Sequence, residues 1–207
     1  MNDNSHLTRR RPQQRRAEET KEKVLSASVE VLRHKGIDGL SIREVARTAG
    51  VSVGTIYEYF PSRHALLFWV AEQRLKERLD VFDGVFSEEN FDRPLDSLIS
   101  EYLDAMKNSD MYSRLDLEIR AAEERDQQLG EYTARYRQQL TDRYIRTWKR
   151  YGATAKPAQM RLIASYMHEI DHASMKLQLQ NKPAEQQRVR DITAQLIGLL
   201  TNLAFDS

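Results

Sequence analysis

Residues 41–64 constrain the fold more than any other stretch of this chain. They read SIREVARTAGVSVGTIYEYFPSRH, the pattern of two short helices separated by a tight turn. Ser41 is a predicted N-cap, and Glu44 three residues later completes the sequence of a capping box. Gly50 stands where the first helix must end, because glycine tolerates the left-handed conformation that such an end requires.

A second short helix follows directly. Ser52 is its predicted N-cap, and the helix is expected to cover 53–60 because the residue before Pro61 is pushed out of the helical region. Ser62 is the predicted cap of the helix after that. Two short helices with this spacing predict a helix-turn-helix, the unit that places its second helix in the DNA major groove.

The same stretch resembles the DNA-binding motif of the tetracycline-repressor (TetR) family, whose pattern is roughly T-x-x-x-I-A-x-x-A-G-V-S-x-G-T-x-Y-x-Y-F-x-S-K-x-x-L. Ser41 replaces the threonine of that pattern and Arg63 its lysine, which keeps the hydroxyl and the positive charge. The resemblance implies a transcriptional regulator, usually a repressor, that binds a palindromic DNA operator as a homodimer. The residues that match the pattern are Val45, Ala46, Ala49, Gly50, Val51, Ser52, Gly54, Thr55, Tyr57, Tyr59, Phe60, Ser62 and Leu66.

The predicted DNA contacts lie mostly on the second helix of the motif. Val53 and the methyl group of Thr55 suit a thymine methyl group, and Gly54 lets the backbone approach the DNA closely. Tyrosine hydroxyls and arginine guanidinium groups suit phosphate oxygens, which fix the register on the duplex. The two serines are also explained by capping alone. The full predicted set is Ser41, Arg43, Ser52, Val53, Gly54, Thr55, Tyr57, Tyr59 and Arg63.

The charge of the chain is nearly neutral overall, at +1 in 207 residues, but it is unevenly distributed. Residues 1–70 contain 12 Lys and Arg against 8 Asp and Glu, whereas the remainder contains 20 against 23. This local basic bias is expected if the N-terminal third alone meets phosphate. The absence of cysteine excludes disulfides and thiol chemistry. A polar N-terminus and no apolar run longer than 65–71 predict a cytoplasmic protein without a membrane segment.

Residues 1–16 are polar and lack helical periodicity, so a disordered basic arm is predicted there. The arm either lies against the DNA backbone or minor groove, or is a solvated tail. The DNA-binding domain is predicted to cover 17–77, with its motif at about 40–60, and an effector-binding and dimerisation domain to cover 78–207. The arginines of the arm are Arg9, Arg10, Arg11, Arg15 and Arg16.

Outside the motif the chain has few glycines and no sustained two-residue alternation, which predicts helices and no strands. The pattern indicates an all-α fold of about nine helices, with a three-helix helix-turn-helix DNA-binding head and a larger C-terminal helical body for ligand binding and dimerisation. The helices predicted outside the motif are 17–35, 63–83, 94–108, 111–124, 126–151, 157–180 and 184–204.

The last two predicted helices carry wide apolar stripes. Such stripes either complete the core of one chain or pair with a second copy. The resemblance implies pairing, with a homodimer formed through about 157–204. A two-fold dimer brings two DNA-reading heads to a palindromic site.

The resemblance also implies a small-molecule effector that binds the helical body and moves the helix predicted at 63–83. Large side chains on three predicted helices are the candidates for lining its pocket, and an aromatic lining suits an apolar or flat effector. An ordinary aromatic core explains the same residues, and regulation by a protein partner remains an alternative. No cofactor is predicted. The candidate effector-binding residues are Trp69, Tyr102, Met106, Tyr132, Tyr136, Tyr144 and Trp148.

One further motif, HEIDH, fits the H-E-x-x-H pattern of zinc enzymes. In that pattern His168 and His172 bind the metal and Glu169 acts as the general base. Met175 and Gln178 stand where the longer form of the motif needs glycine and a third histidine. The expectation is therefore that the histidines belong to a second packing surface or are solvated, with no metal site, and a helical zinc enzyme is kept as an alternative.

Overall fold

Nine α-helices and one short 3₁₀ helix make up the regular structure of residues 5–108 and 113–205, the part of the chain that this computed structural model describes. No strand occurs in these ranges, so the predicted all-α fold is confirmed. The helices are α1 (Ser5–Gly39), α2 (Ile42–Ala49), α3 (Val53–Tyr59), α4 (Arg63–Val85), α5 (Leu95–Asn108), α6 (Arg114–Arg125), α7 (Gln127–Arg150), α8 (Pro157–Gln180) and α9 (Pro183–Asn202), with the 3₁₀ helix at Glu88–Asn90.

The N-terminal helix departs most from its prediction. The backbone of α1 is helical from Ser5, so the structure replaces the predicted disordered arm with an extension of α1, and residues 1–4 lie outside the described residues. Arginine and glutamine, which dominate this segment, have high helix propensity, and an Arg15–Glu19 ion pair at 3.0 Å links successive turns. The helical path breaks at Gly36, where φ is +67°, one residue after the predicted end.

The chain divides into two compact units, and the division falls within α4, after Glu72. The first unit contains the helix-turn-helix. Helices α2 and α3 are too short to be stable in isolation, so the core beneath them holds them in place. That core contains the buried residues Val24, Val31, Leu32, Leu40, Val45, Ile56, Phe60 and Leu66.

The second unit begins at Gln73 and contains two hydrophobic clusters. One joins α4, α5 and α7 around Phe82 and Tyr102, and the other joins α7, α8 and α9 around Trp148 and Ile197. Gly152, with φ +89°, turns the chain between α7 and α8. The start predicted for the sixth helix, at 111, lies outside the described residues. In the described ranges no helix is both long and apolar enough to cross a membrane.

Candidate nucleic-acid interface and effector pocket

The helix-turn-helix begins with a cap that is half of the predicted capping box. Ser41 accepts a hydrogen bond from the backbone N–H of Glu44 at 3.2 Å. The Glu44 carboxylate does not return to Ser41; it accepts hydrogen bonds from Arg47 Nη2 at 2.5 Å and Lys35 Nζ at 2.7 Å. The bond from Arg47, followed by that from Lys35, lowers the pKa of Glu44 to about 2. Glu44 therefore ties α2 to the end of α1.

The turn and the start of α3 follow the sequence prediction closely. Gly50 adopts φ +66°, in the left-handed region, and Ser52 Oγ accepts a hydrogen bond from the Thr55 backbone N–H at 3.0 Å. The hydroxyl groups of Ser52 and Thr55 also share a hydrogen bond of 2.8 Å. The helix ends at Tyr59, one residue earlier than predicted, because Phe60 has extended backbone. Ser52 is thus a cap that also orients the Thr55 hydroxyl.

The outward face of α3 has the properties expected of a recognition helix. Ile56 is fully buried beneath it, whereas Val53 is 38% exposed and Tyr57 is 54% exposed. A Cβ atom placed on Gly54 would meet the side chain of Ser52 at 3.6 Å, an ordinary contact. Packing within the protein therefore does not require glycine at this position. A close approach of DNA to the backbone of α3 would require glycine at this position.

The three remaining predicted contacts differ in their surroundings. Arg43 is exposed and makes no hydrogen bond or ion pair with any residue that the structure describes. Arg63 Nη2 donates to the carbonyl oxygen of Ile37, so this side chain holds the start of α4 against the end of α1, just beyond the break at Gly36. Tyr59 is half-buried, with Lys21 Nζ 5.6 Å from the centre of its ring. Arg63 and Tyr59 therefore have structural contacts in addition to any contact with phosphate.

The predicted effector residues do not form one group. Trp69 lies in the first unit, where its ring packs on Phe60 at 4.7 Å between centroids. Tyr132 packs on Tyr136 at the edge of the body, 5.7 Å between centroids. Five of the predicted side chains do belong to the clusters of the second unit: Tyr102, Met106, Tyr136, Tyr144 and Trp148.

This aromatic core is almost completely filled. The Tyr144 and Trp148 rings stack at 5.8 Å, and burial raises the pKa of Tyr102 to about 12. The cavity between these rings has a volume of about 20 Å³. Such a volume holds roughly one water molecule, whereas small-molecule pockets typically measure about 300–1,000 Å³. The geometry therefore supports the ordinary aromatic core rather than a preformed effector pocket among these residues.

The second unit also contains two ion pairs that the sequence does not indicate. Arg74 and Asp116, both nearly buried, form an ion pair of 2.9 Å, and Arg78 and Asp171 form one of 3.2 Å. The partners are separated by 42 and 93 residues along the chain, so no local pattern identifies them. These pairs anchor the second-unit part of α4 to α6 and to α8.

His168, the first histidine of the HEIDH motif, lies beside the second of these pairs. Its Nε2 is 3.1 Å from the Thr141 hydroxyl, and burial lowers the pKa of His168 to about 4. Within residues 5–108 and 113–205, no group of three potential ligands is placed to hold a metal ion. The structure assigns His168 to the packing surface between α7 and α8 and gives the zinc alternative no support.

Comparison with known proteins agrees with the geometry of the first unit. Residues 24–69 match the family model for bacterial regulatory proteins of the tetR family. YvdT, an uncharacterized HTH-type transcriptional regulator of Bacillus subtilis (strain 168), is 42% identical over 81 residues, which cover 39% of this chain and 42% of YvdT. The HTH-type transcriptional regulator CymR of Pseudomonas putida is 42% identical over 69 residues, covering 31% of this chain and 34% of CymR. The chain thus spans less than half of the length of either relative.

Among solved structures, Salmonella enterica GusR has a TM-score of 0.72 at 18% sequence identity, covering 89% of this chain and 95% of GusR. At that identity the likeness shows the fold alone. The capped helix pair, its buried support and the matched segment define a helix-turn-helix in the first unit. Residues 24–69 are therefore similar to the helix-turn-helix segment of bacterial regulatory proteins of the tetR family.

Proposed function

We propose that this regulator is a cytoplasmic, ligand-responsive repressor that binds a palindromic operator as a homodimer, and that it is not an enzyme. The observation that carries DNA recognition is the start of α3, where Val53, Gly54 and Tyr57 face outward from a helix anchored by Ile56. Apolar contact with thymine methyl groups and hydrogen bonds to phosphate are the interactions that this surface offers.

Homodimerisation is supported by an exposed apolar face on α8 and α9. On α9 the exposed residues recur with helical spacing, and Leu199 is 65% exposed. A contiguous apolar surface of this kind is normally covered by a partner. An isologous pair through this face carries two reading heads, as a palindromic operator requires. The face consists of Leu162, Tyr166, Leu177, Ile192, Leu196, Leu199 and Leu203.

The DNA-binding proposal is tested by fluorescence anisotropy with duplexes from the region upstream of the gene, compared with duplexes of scrambled sequence, over a series of salt concentrations. Tyr57→Phe removes one hydroxyl from α3. We expect it to weaken binding to both kinds of duplex by a similar factor, because a phosphate contact carries no sequence information. Val53→Ala is expected to weaken binding to the specific duplex more than to the scrambled one.

Ser97→Ala is the control, since it removes one hydroxyl from an exposed position on α5, outside both α3 and the exposed apolar face. It should leave the affinity of the regulator for DNA unchanged. The assignment of α3 as the recognition helix fails if Tyr57→Phe and Val53→Ala both bind every duplex as tightly as the wild type at low salt.

A second candidate function is a DNA-binding regulator whose body contacts another protein rather than a small molecule. The filled aromatic core, with its cavity of about 20 Å³, favours this alternative over an effector held among those rings. Anisotropy measured with and without a panel of metabolites separates the two. Release of the operator by one metabolite supports ligand response, and release by none supports a protein partner.

A further inference from the structure

A continuous groove runs between α5 and α9 in the second unit. Its polar end is a cavity of about 250 Å³ that also reaches α8, and its apolar end is an open groove of about 530 Å³. The two share Ser100, Leu103 and Ala194 in their linings, so they form one surface feature. Together they fall in the size range of small-molecule sites, unlike the aromatic core.

The polar end contains a guanidinium group without a carboxylate partner. Arg190 is half-buried, and its Nη1 donates to Gln178 Oε1 at 3.3 Å, while Nε and Nη2 donate to Gln187 Oε1 at 3.2 and 2.6 Å. Both acceptors are neutral amides, and Arg190 forms no ion pair with any residue the structure describes. These three bonds leave two of the five N–H donors of an arginine for a ligand. A bidentate carboxylate is the group that suits such a fork.

The remaining groups at this end limit the charge of the ligand. Lys107 adds a second cation, but Asp104 and Asp191 also line the cavity, so the lining has no net formal charge. Asp191 accepts a hydrogen bond from Gln187 Nε2 at 2.7 Å, which directs one of its oxygens to protein. Arg190 therefore compensates one negative charge, as a carboxylate carries, whereas the further charge of a phosphate would face Asp104 and Asp191. Nearby hydroxyls of Ser174 and Thr193 add polarity without charge.

The other end of the groove suits a hydrocarbon chain. Ile99 and Leu103 of α5 face Ala194 and Gly198 of α9, and a Cβ atom on Gly198 would have no neighbour within 4 Å. The small residues Ala194 and Gly198 keep the groove open along α9, while the polar side chains of Asp96 and Asn202 also line this end. Arg190 and Gly198 are eight positions apart, which corresponds to about 12 Å of helix.

We propose that this groove binds an amphipathic monocarboxylate, with its carboxylate on Arg190 and its apolar chain along α9 toward Gly198. The role of this molecule as effector rests on the function proposed above, whereas its binding to the groove does not. The predicted ligand differs from the apolar or aromatic effector expected from the sequence, because it requires one negative charge at a defined end.

Sodium decanoate is the probe, compared with decanol and decyltrimethylammonium at equal concentrations. Isothermal titration calorimetry of the full chain without DNA measures binding, and methyl NMR of the wild type locates it through Ile99 and Leu103. We expect saturable binding of decanoate, with at least tenfold weaker binding of the other two probes, and shifts of these methyl signals. Absence of saturable decanoate binding, or shifts confined to other methyl groups, would overturn the proposal without depending on any variant.

Two variants test the two ends of the groove. Arg190→Gln removes the charge and Gly198→Leu fills the open space, and each should weaken decanoate binding at least tenfold. Arg188→Gln, a charge on α9 outside the lining, and Gly84→Leu, a helical glycine with open space around it on α4, are the matched controls and should bind normally. Equal affinity in all four variants would refute the assigned site.

Two further measurements separate binding from regulation. If Gly198→Leu shifts the monomer–dimer equilibrium in sedimentation velocity but still binds decanoate as the wild type does, the open space belongs to a protein interface and the ligand proposal is wrong. Operator release by decanoate, lost in Arg190→Gln, supports the effector role. Binding without any change in operator affinity overturns that role and leaves the DNA-binding function intact.

Discussion

Mild acid should destabilise the body of this protein through His168. The ring lies between α7 and α8, where its Nε2 meets the Thr141 hydroxyl and its face lies 5.8 Å from the Tyr144 ring. Burial is the main cause that lowers its pKa from 6.5 to about 4; the nearby Asp171 opposes this shift, and Arg78 and Arg137 add to it. The folded protein therefore favours the neutral ring.

The sign and size of the effect follow from proton linkage. Between the unfolded pKa of 6.5 and the folded value of about 4, the unfolded chain binds more protons, so stability falls as the pH is lowered. At pH 5 this difference corresponds to about 2 kcal/mol of lost unfolding free energy relative to pH 7. Because the ring retains some exposure, this figure is an upper bound. The stabilising effect of Glu44 is lost only as the pH falls below its ordinary pKa of 4.5, so it does not contribute between pH 7 and pH 5.

Urea unfolding at pH 7 and pH 5, at one fixed protein concentration, measures the loss directly. His168→Gln keeps a hydrogen-bonding side chain but cannot titrate, so it should lose less stability than the wild type over this interval. His34→Gln, at an exposed position on α1, should behave as the wild type does. A His168→Gln variant that loses as much stability as the wild type between these pH values would refute the reasoning.

Three other substitutions give separate tests. Asp116→Asn removes one of two carboxylates that pair with the nearly buried Arg74, while Glu77 stays 3.1 Å from its Nη1. Urea unfolding should therefore show a loss of about 2 kcal/mol, and a loss below about 1 kcal/mol would contradict the importance of the pair. Gly198→Ala should raise the unfolding free energy by up to about 1 kcal/mol, because alanine has a higher helix propensity than glycine and its methyl group has open space here. A decrease in the melting temperature would contradict this expectation. Leu199→Glu places a charge on the exposed apolar face and should give a monomer in sedimentation velocity, whereas an unchanged dimer would exclude this face as the interface.

The parts of the fold that could be predicted are those fixed by short-range chemistry. Serine caps at Ser41, Ser52 and Ser62 and the left-handed Gly50 depend on residues at most four positions away, so the sequence contains all the necessary information. The same holds for the helix boundaries near Gly152. The recognition face of α3 was predictable for this reason, since its exposure follows from the placement of one buried residue per turn.

The features that could not be predicted depend on contacts between helices or on competition between alternative partners. Glu44 has the right spacing for a capping box, but Lys35 and Arg47 compete for its carboxylate and win because they are charged. The position of Trp69 on the predicted helix 63–83 suggests an effector contact, whereas in the structure its ring packs on Phe60. The sequence does not identify Arg190 as a ligand-binding residue, because its surroundings are set by the packing of α9 against α5 and α8.

The position of an effector site also decides how regulation can work. Enlarging the 20 Å³ cavity of the aromatic core to about 300 Å³ would cost roughly 7 kcal/mol, at about 24 cal/mol per Å³ of cavity. The binding energy of a ligand there must first offset this cost, which corresponds to a factor of about 10⁵ in affinity. The α5–α9 groove needs no such opening. Leu199 lines this groove and also belongs to the exposed apolar face of α9. A ligand in the groove would therefore act on pairing between two copies, and its effect on operator binding should diminish as protein concentration rises far above the dimer dissociation constant.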